Sequence, residues 1–177
     1  MEMSFAQALV QDAIAGDEQA FVLLVEPLLP AAYRLAVGML RSDSDAEDAV
    51  QEAVFKAWKH LGGFRAGSDL KPWLFTIVAN ECRSRRRNRW WSVLKGSDQL
   101  AGQIASTVAF DPASADLRQA LYRLPHDQRL VLVLRYYLDL SFQDVAQTLG
   151  ISTKAAKART YRALERLRLS PEVISDE

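Results

Sequence analysis

From Asp45 to Leu61 the apolar side chains return every three or four residues: Ala46, Ala49, Val50, Ala53, Val54, Ala57, Trp58 and Leu61. That interval marks a helix with one buried face, and a stripe this wide is one that a fold covers. Gly62-Gly63 ends it. The same period recurs along the chain and no stretch alternates convincingly at period two, so the expected fold class is all-α. With 177 residues, 49% of them hydrophobic, the chain is long enough for one medium domain or two small ones. Helices are expected at about 4–15, 18–29, 31–40, 45–61, 72–89, 114–124, 127–137, 141–149 and 153–169. Pro27 and Pro30 end or kink the second, Ser44 or Asp45 caps the fourth, and Pro72 fits the first turn of the fifth. After Trp90-Trp91 the period dissolves. Residues 92–113 read as a flexible linker between two helical domains, 1–91 and 114–177, although Leu94, Leu100, Ile104, Val108 and Phe110 are too apolar for a free coil.

The formal net charge of zero hides a strong asymmetry. Met1 to Phe55 holds ten acidic residues against Arg34 and Arg41, a local −8; the remainder holds 20 basic and 12 acidic residues, a local +8. Such a split suggests a basic partner at one end and a polyanion at the other. One cysteine, Cys82, excludes a disulfide framework, and with only His60 and His126 a conventional metal cluster is not expected, nor any cofactor. The longest run without charge, Gln99 to Phe110, is too short and too polar to span a bilayer. No basic segment leads into an apolar core at the N-terminus, so no secretion signal is visible and a cytoplasmic location is expected, without membrane insertion.

The sharpest local motif lies near the C-terminus. Ser141 is placed to cap a short helix, Phe142 to Leu149; Gly150 supplies a tight turn, and Ser152 caps a helix from Thr153 to Arg168, about 24 Å long at 1.5 Å per residue. This is a helix-turn-helix pattern, with small Ala146 at the crossing. Ala156, Leu164 and Leu167 face inward, leaving Lys154, Lys157, Tyr161 and Arg162 outward and Arg159 on the flank, a surface suited to phosphates and base edges in a major groove. A helical hairpin packing against protein is the plainer alternative. A second basic run contains Arg83, Arg85, Arg86, Arg87, Arg89 and Lys95 with Trp90 and Trp91 beside it, and offers phosphate neutralisation and stacking surface. The acidic cluster Asp43, Asp45, Glu47, Asp48 and Glu52 admits a magnesium-dependent nuclease reading, which nothing else in the sequence supports. Phe55 on that polar face reads better as part of a docking surface for a basic protein. Cys82 near a basic helix end admits a redox role, with an inert thiol the commoner case.

The order of these parts resembles a known family. Asp45-Ala46-Glu47-Asp48-Ala49-Val50-Gln51-Glu52 followed by Lys56-Ala57-Trp58 is similar to the polymerase-binding helix of bacterial extracytoplasmic-function (ECF) sigma factors. Phe64-Arg65 and Pro72-Trp73-Leu74-Phe75-Thr76-Ile77-Val78-Ala79-Asn80 look like the promoter-melting segment. Leu124-Pro125, Gln128-Arg129 and the helix-turn-helix look like the C-terminal domain. The resemblance implies a non-enzymatic subunit that binds core RNA polymerase and directs initiation at particular promoters. It implies that Asp48, Gln51, Glu52 and Phe55 dock on polymerase, that Lys56, His60, Phe64 and Asn80 surround a flipped base of the −10 element, and that Arg83, Arg86 and Arg87 hold the adjoining backbone. Lys154, Lys157, Arg159, Tyr161 and Arg162 would read the −35 element as duplex. Where the family commonly carries Gly-Thr-Val before the recognition helix, this chain has Thr153-Lys154-Ala155-Ala156, a departure that bears on which duplex is read. An anti-sigma protein is the implied regulator, one able to hold the chain at the membrane. A free-standing helix-turn-helix regulator acting on duplex operators is the alternative, and it leaves the acidic helix and the Phe64–Asn80 segment without a purpose.

Overall fold

The structure is a computed structural model that describes residues 5–65, 67–94 and 112–169. All regular elements among the described residues are helical. The expected linker with Leu100, Ile104, Val108 and Phe110, the basic Lys95, Ala66, and residues 170–177 lie outside the described residues, as does the side chain of Trp91.

Helix α1 (Phe5–Ile14) stops at Gly16, whose φ of +102° only glycine adopts freely. Asp17 then caps α2 (Glu18–Val25), its carboxylate accepting from the backbone amides of Gln19 and Ala20 at 2.9 and 3.1 Å. Pro27 ends α2 as expected, but the chain tightens into a 3-10 turn (Glu26–Leu28) and runs straight into α3 (Leu29–Met39). The run 18–39 is long and apolar enough to cross a membrane by length and composition alone. Here Phe21, Val25, Leu35 and Met39 from that run are buried in protein.

Helix α4 (Asp43–His60) begins slightly earlier than the sequence reading, because Ser42, rather than Ser44 or Asp45, is the cap: its hydroxyl accepts from the Asp45 amide at 3.2 Å. Ala46, Ala49, Ala53 and Ala57 are completely buried. A stripe of side chains this small lets α3 and α5 come close on either side of α4. Helix α5 (Leu70–Leu94) is longer than expected and carries Leu74, Phe75 and Val78 into the same core. Burying each large side chain there contributes roughly 2 kcal/mol.

The C-terminal part comprises α6 (Pro112–Arg123), α7 (His126–Leu132), α8 (Phe142–Leu149) and α9 (Thr153–Arg168), with a π-helical turn at Val133–Tyr137 following α7. Ser141 and Asp144 form a reciprocal capping box, Gly150 turns with φ +63°, and Ser152 caps α9 through the Ala155 amide at 3.1 Å. These caps fall where the sequence places them.

The two parts are bolted together through the end of α3. The Tyr122 hydroxyl donates to the Leu40 carbonyl at 2.5 Å. Arg129, 3% exposed, sends its guanidinium to the Met39 carbonyl at 2.9 Å while its other nitrogens donate to the carbonyls of Leu121, Tyr122 and Leu124. Val133 sits against Gly38 so closely that a Cβ there would lie 2.8 Å from it. Farther along, Thr76 Oγ1 on α5 lies 2.7 Å from the Thr148 carbonyl of α8.

Candidate nucleic-acid and partner interfaces

The acidic face of α4 is only partly free. Arg89 pairs with Asp45 at 3.0 Å and Arg85 with Asp48 at 3.4 Å, so two acids of the cluster hold α5 against α4. Among the described residues no three His, Cys, Asp or Glu side chains are grouped to hold a metal ion. Glu47, Gln51, part of Glu52, the solvent side of Asp48 and Phe55 remain outward, Phe55 51% exposed with the Lys59 ammonium 4.3 Å from its ring centre. An open ring on a helix face that also carries acids is a fitting landing point for a basic, partly apolar surface.

The residues expected at the −10 element come together around the C-terminal end of α4 and the middle of α5. Lys56 and His60 stand one turn apart on α4, and Asn80 is exposed on α5. Phe64 is brought near but not presented: it is 6% exposed, its ring centre 5.0 Å from that of Trp73. Its immediate role is to close the core beneath the loop, and truncating it is a change of packing before it is a change of DNA contact. Lys56 is already engaged, its ammonium 2.7 Å from Glu81 and 3.6 Å from Glu52. The hydrogen bond to Glu81 lifts Lys56 above the ordinary lysine range. Arg86 and Arg87 are exposed, whereas Arg83 is paired with Asp127 of α7. Cys82 is 1% exposed, and burial pushes its thiol up to about 12, away from the thiolate that redox chemistry uses.

The α9 surface is different in kind. Lys154, Lys157 and Arg162 are exposed, Tyr161 is 60% exposed and Arg159 half-buried. Among the described residues no carboxylate pairs with any of these four cations. Thr160 and Ala163 point inward beside Ala156, which fixes the opposite face outward. Two residues that the sequence reading passed over belong to this surface. The Phe142 ring at the start of α8 has Lys157 5.6 Å and Arg135 5.1 Å from its centre, with the Tyr161 ring 6.3 Å away. Arg135 sits in the π-helical turn and also pairs with Asp139 at 3.4 Å. A cation packed on an aromatic face has less freedom to lose on meeting an anion.

An open apolar cleft of about 340 Å³ lies where α3 meets α6, the π-helical turn and α9. Val37, Leu121, Val133, Tyr137, Leu164 and Leu167 line it.

Comparison with known proteins bears on both halves. Residues 24–92 match the family Sigma-70 region 2, and residues 114–167 match Sigma-70, region 4. The RNA polymerase sigma-H factor of Pseudomonas aeruginosa is 31% identical over 173 residues, with 90% of each chain covered. The ECF RNA polymerase sigma factor SigM of Mycobacterium tuberculosis is 32% identical, covering 87% of this chain and 78% of that protein. Among solved structures, CnrH in complex with the cytosolic domain of CnrY is similar with a TM-score of 0.73 at 27% identity, covering 97% of this chain and 99% of that one. The sigma factor RpoE of Bartonella quintana, in complex with the anti-sigma factor NepR, is similar with a TM-score of 0.65 at 32% identity, covering 86% and 95%.

Proposed function

This chain belongs to the sigma-70 family, in its ECF group, and directs promoter-specific initiation of transcription; we propose that it does so as a non-enzymatic subunit which docks on core polymerase through α4, captures an unstacked −10 base beside α5 and reads the −35 duplex with α9. The functional units are 1–91 and 114–177, joined by 92–113. Docking uses Asp48, Gln51, Glu52 and Phe55. Lys56, His60 and Asn80 face the captured base, with Phe64 supporting the loop from beneath, and Arg83, Arg86 and Arg87 follow its backbone. Lys154, Lys157, Arg159, Tyr161 and Arg162 enter the major groove of the −35 element. Melting needs no nucleotide hydrolysis by this chain, because capture of unstacked bases offsets the cost of unpairing. The place of work is the cytoplasm, where the polymerase and its DNA are.

The observation that carries this reading is the placement of the two exposed faces: an acidic, aromatic one on α4 and an uncompensated basic one on α9. The compact arrangement adds a condition. Elements about 35 and 10 nucleotides upstream are roughly 80 Å apart along B-form DNA at 3.4 Å per step. A compact chain of 177 residues has a radius of gyration of about 16 Å. The two halves therefore separate before both elements are bound, and Arg83 exchanges Asp127 for DNA. An anti-sigma partner favours the compact form; the apolar cleft between α3, α6 and α9 is a surface it would cover, and one anchored in the membrane would hold the chain there.

Size-exclusion chromatography of the full chain with bacterial core RNA polymerase tests the docking. A stoichiometric complex is expected, weakened at least tenfold in the Glu52→Ala, Phe55→Ala double variant, the scale of losing one interface anchor. Undiminished binding by a folded double variant would remove α4 from the interface, and failure of the parent chain to bind would favour the free-standing operator-binding regulator.

A further inference from the structure

Among the described residues, Asp45–Arg89, Asp48–Arg85 and Lys56–Glu81 stitch α4 to α5, and they are not equivalent. Asp45–Arg89 and Asp48–Arg85 lie in the open, where such pairs contribute little. Lys56–Glu81 is shorter, at 2.7 Å, and Glu81 is the one buried acidic residue among the described residues, its side chain 11% exposed. A buried carboxylate is costly unless it is paired, and an apolar side chain of similar volume would hold two helices together at lower cost. Glu81 is therefore poorly accounted for as a fastener.

Its position offers another account. Glu81 follows Asn80 on α5 and faces Lys56, one turn before His60 on α4. A lysine ammonium rides on a flexible four-carbon stem and occupies many positions unless something fixes it. Glu81 fixes it from below, and Glu52, 3.6 Å away, restrains it from the polymerase-facing side. A negative group this near to a polyanion also works against DNA entry unless the lysine stays in place to screen it.

We propose that Glu81 is a positioning residue, which holds the Lys56 ammonium at the mouth of the base-capture site and thereby sets which base is accepted there. This rests on the base-capture reading given above. Glu81 itself touches no DNA, and its effect passes entirely through Lys56.

The test uses the full chain bound to core RNA polymerase and a pool of promoter duplexes randomised across the −10 element, with the retained DNA sequenced. For Glu81→Gln, of nearly unchanged shape, base enrichment at one position of the element is expected to fall about tenfold, the scale of one charge-assisted hydrogen bond, with other positions and polymerase binding unchanged. In a Lys56→Gln background, Glu81→Gln is expected to add nothing further, since coupled residues are non-additive. That double variant leaves only the partly exposed Glu52 without its lysine, and shows the same single-position loss should the single variant fold poorly. A uniform loss at every position would mean a purely structural role and overturn the proposal. Unchanged enrichment in Glu81→Gln, with loss in Asn80→Ala, would overturn it while sparing base capture; unchanged enrichment in both would overturn base capture itself.

Discussion

Helices α5 and α9 carry the same signal in the sequence, a basic run with aromatic residues beside it, and the structure gives them different standing. On α5, Arg83, Arg85 and Arg89 are answered within the molecule by Asp127, Asp48 and Asp45, and only Arg86 and Arg87 of the run's arginines stand exposed without a carboxylate among the described residues. On α9, Lys154, Lys157, Arg159 and Arg162 have no carboxylate partner among the described residues. If both helices meet DNA, the first exchanges partners that it already holds and the second has none to give up. A count of positive charge does not separate these cases. What separates them is whether acids elsewhere in the chain are brought within reach by packing.

Removing α9 cations gives the sharpest test of that contrast. Replacing Lys154, Lys157 and Arg162 by alanine is expected to weaken duplex DNA binding about tenfold per residue, the size of a hydrogen bond to a charged group. The log–log salt dependence should become shallower by about one for each phosphate left without its cation. Fluorescence anisotropy on a short duplex across a salt series measures both, and thermal unfolding should be unchanged for Lys154 and Arg162 and lowered by no more than about 1 kcal/mol for Lys157, which lies on the Phe142 ring. A loss of stability in the Lys154 or Arg162 variant would place α9 in the same class as α5.

A smaller effect is expected on the other side. Arg85→Ala together with Arg89→Ala should lower stability by less than about 1 kcal/mol per pair, because the pairs are exposed. Chemical denaturation reads this directly, and an unchanged midpoint would mean that these arginines are as uncommitted as those of α9.

A separate effect is a pH dependence at the junction. Burial, with Arg83, Arg86 and Arg129 facing it and only Asp127 opposing them, pushes His126 down to about 4. The opened or unfolded chain has an ordinary histidine near pH 6.5 and takes up a proton that the compact form refuses. Stability should be flat above about pH 6.5 and decline as the pH falls from there towards 4. Unfolding midpoints at successive pH values should show this slope reduced in His126→Asn, and an identical slope in that variant would remove His126 as its source.

Much of the molecule was written locally. The stripe of α4, the capping box at Ser141, the left-handed Gly150 and the cap at Ser152 each depend on residues within about four positions, so the helix-turn-helix and the helical class are legible without a fold. The outward set on α9 follows from the same periodicity. Ser42 as the cap of α4 was missed because Ser44 and Asp45 carry an equally good signal just downstream, and the packing of α3 against α4 decides where the turn starts.

Other features had no local signature at all. The burial of Phe64 against Trp73, the pairing of Arg83 with Asp127, the cations gathered on Phe142, the seat of Arg129 on the Met39 carbonyl and the Lys56–Glu81 contact join residues between 7 and 90 positions apart. Periodicity tells a residue which way to face, but the desolvation and charge it meets there are set by whatever packs opposite. Local spacing was therefore enough for the helices, their caps and the two charged faces. Which charges were already spent inside the molecule, and which were left for a partner, was settled by packing between distant elements.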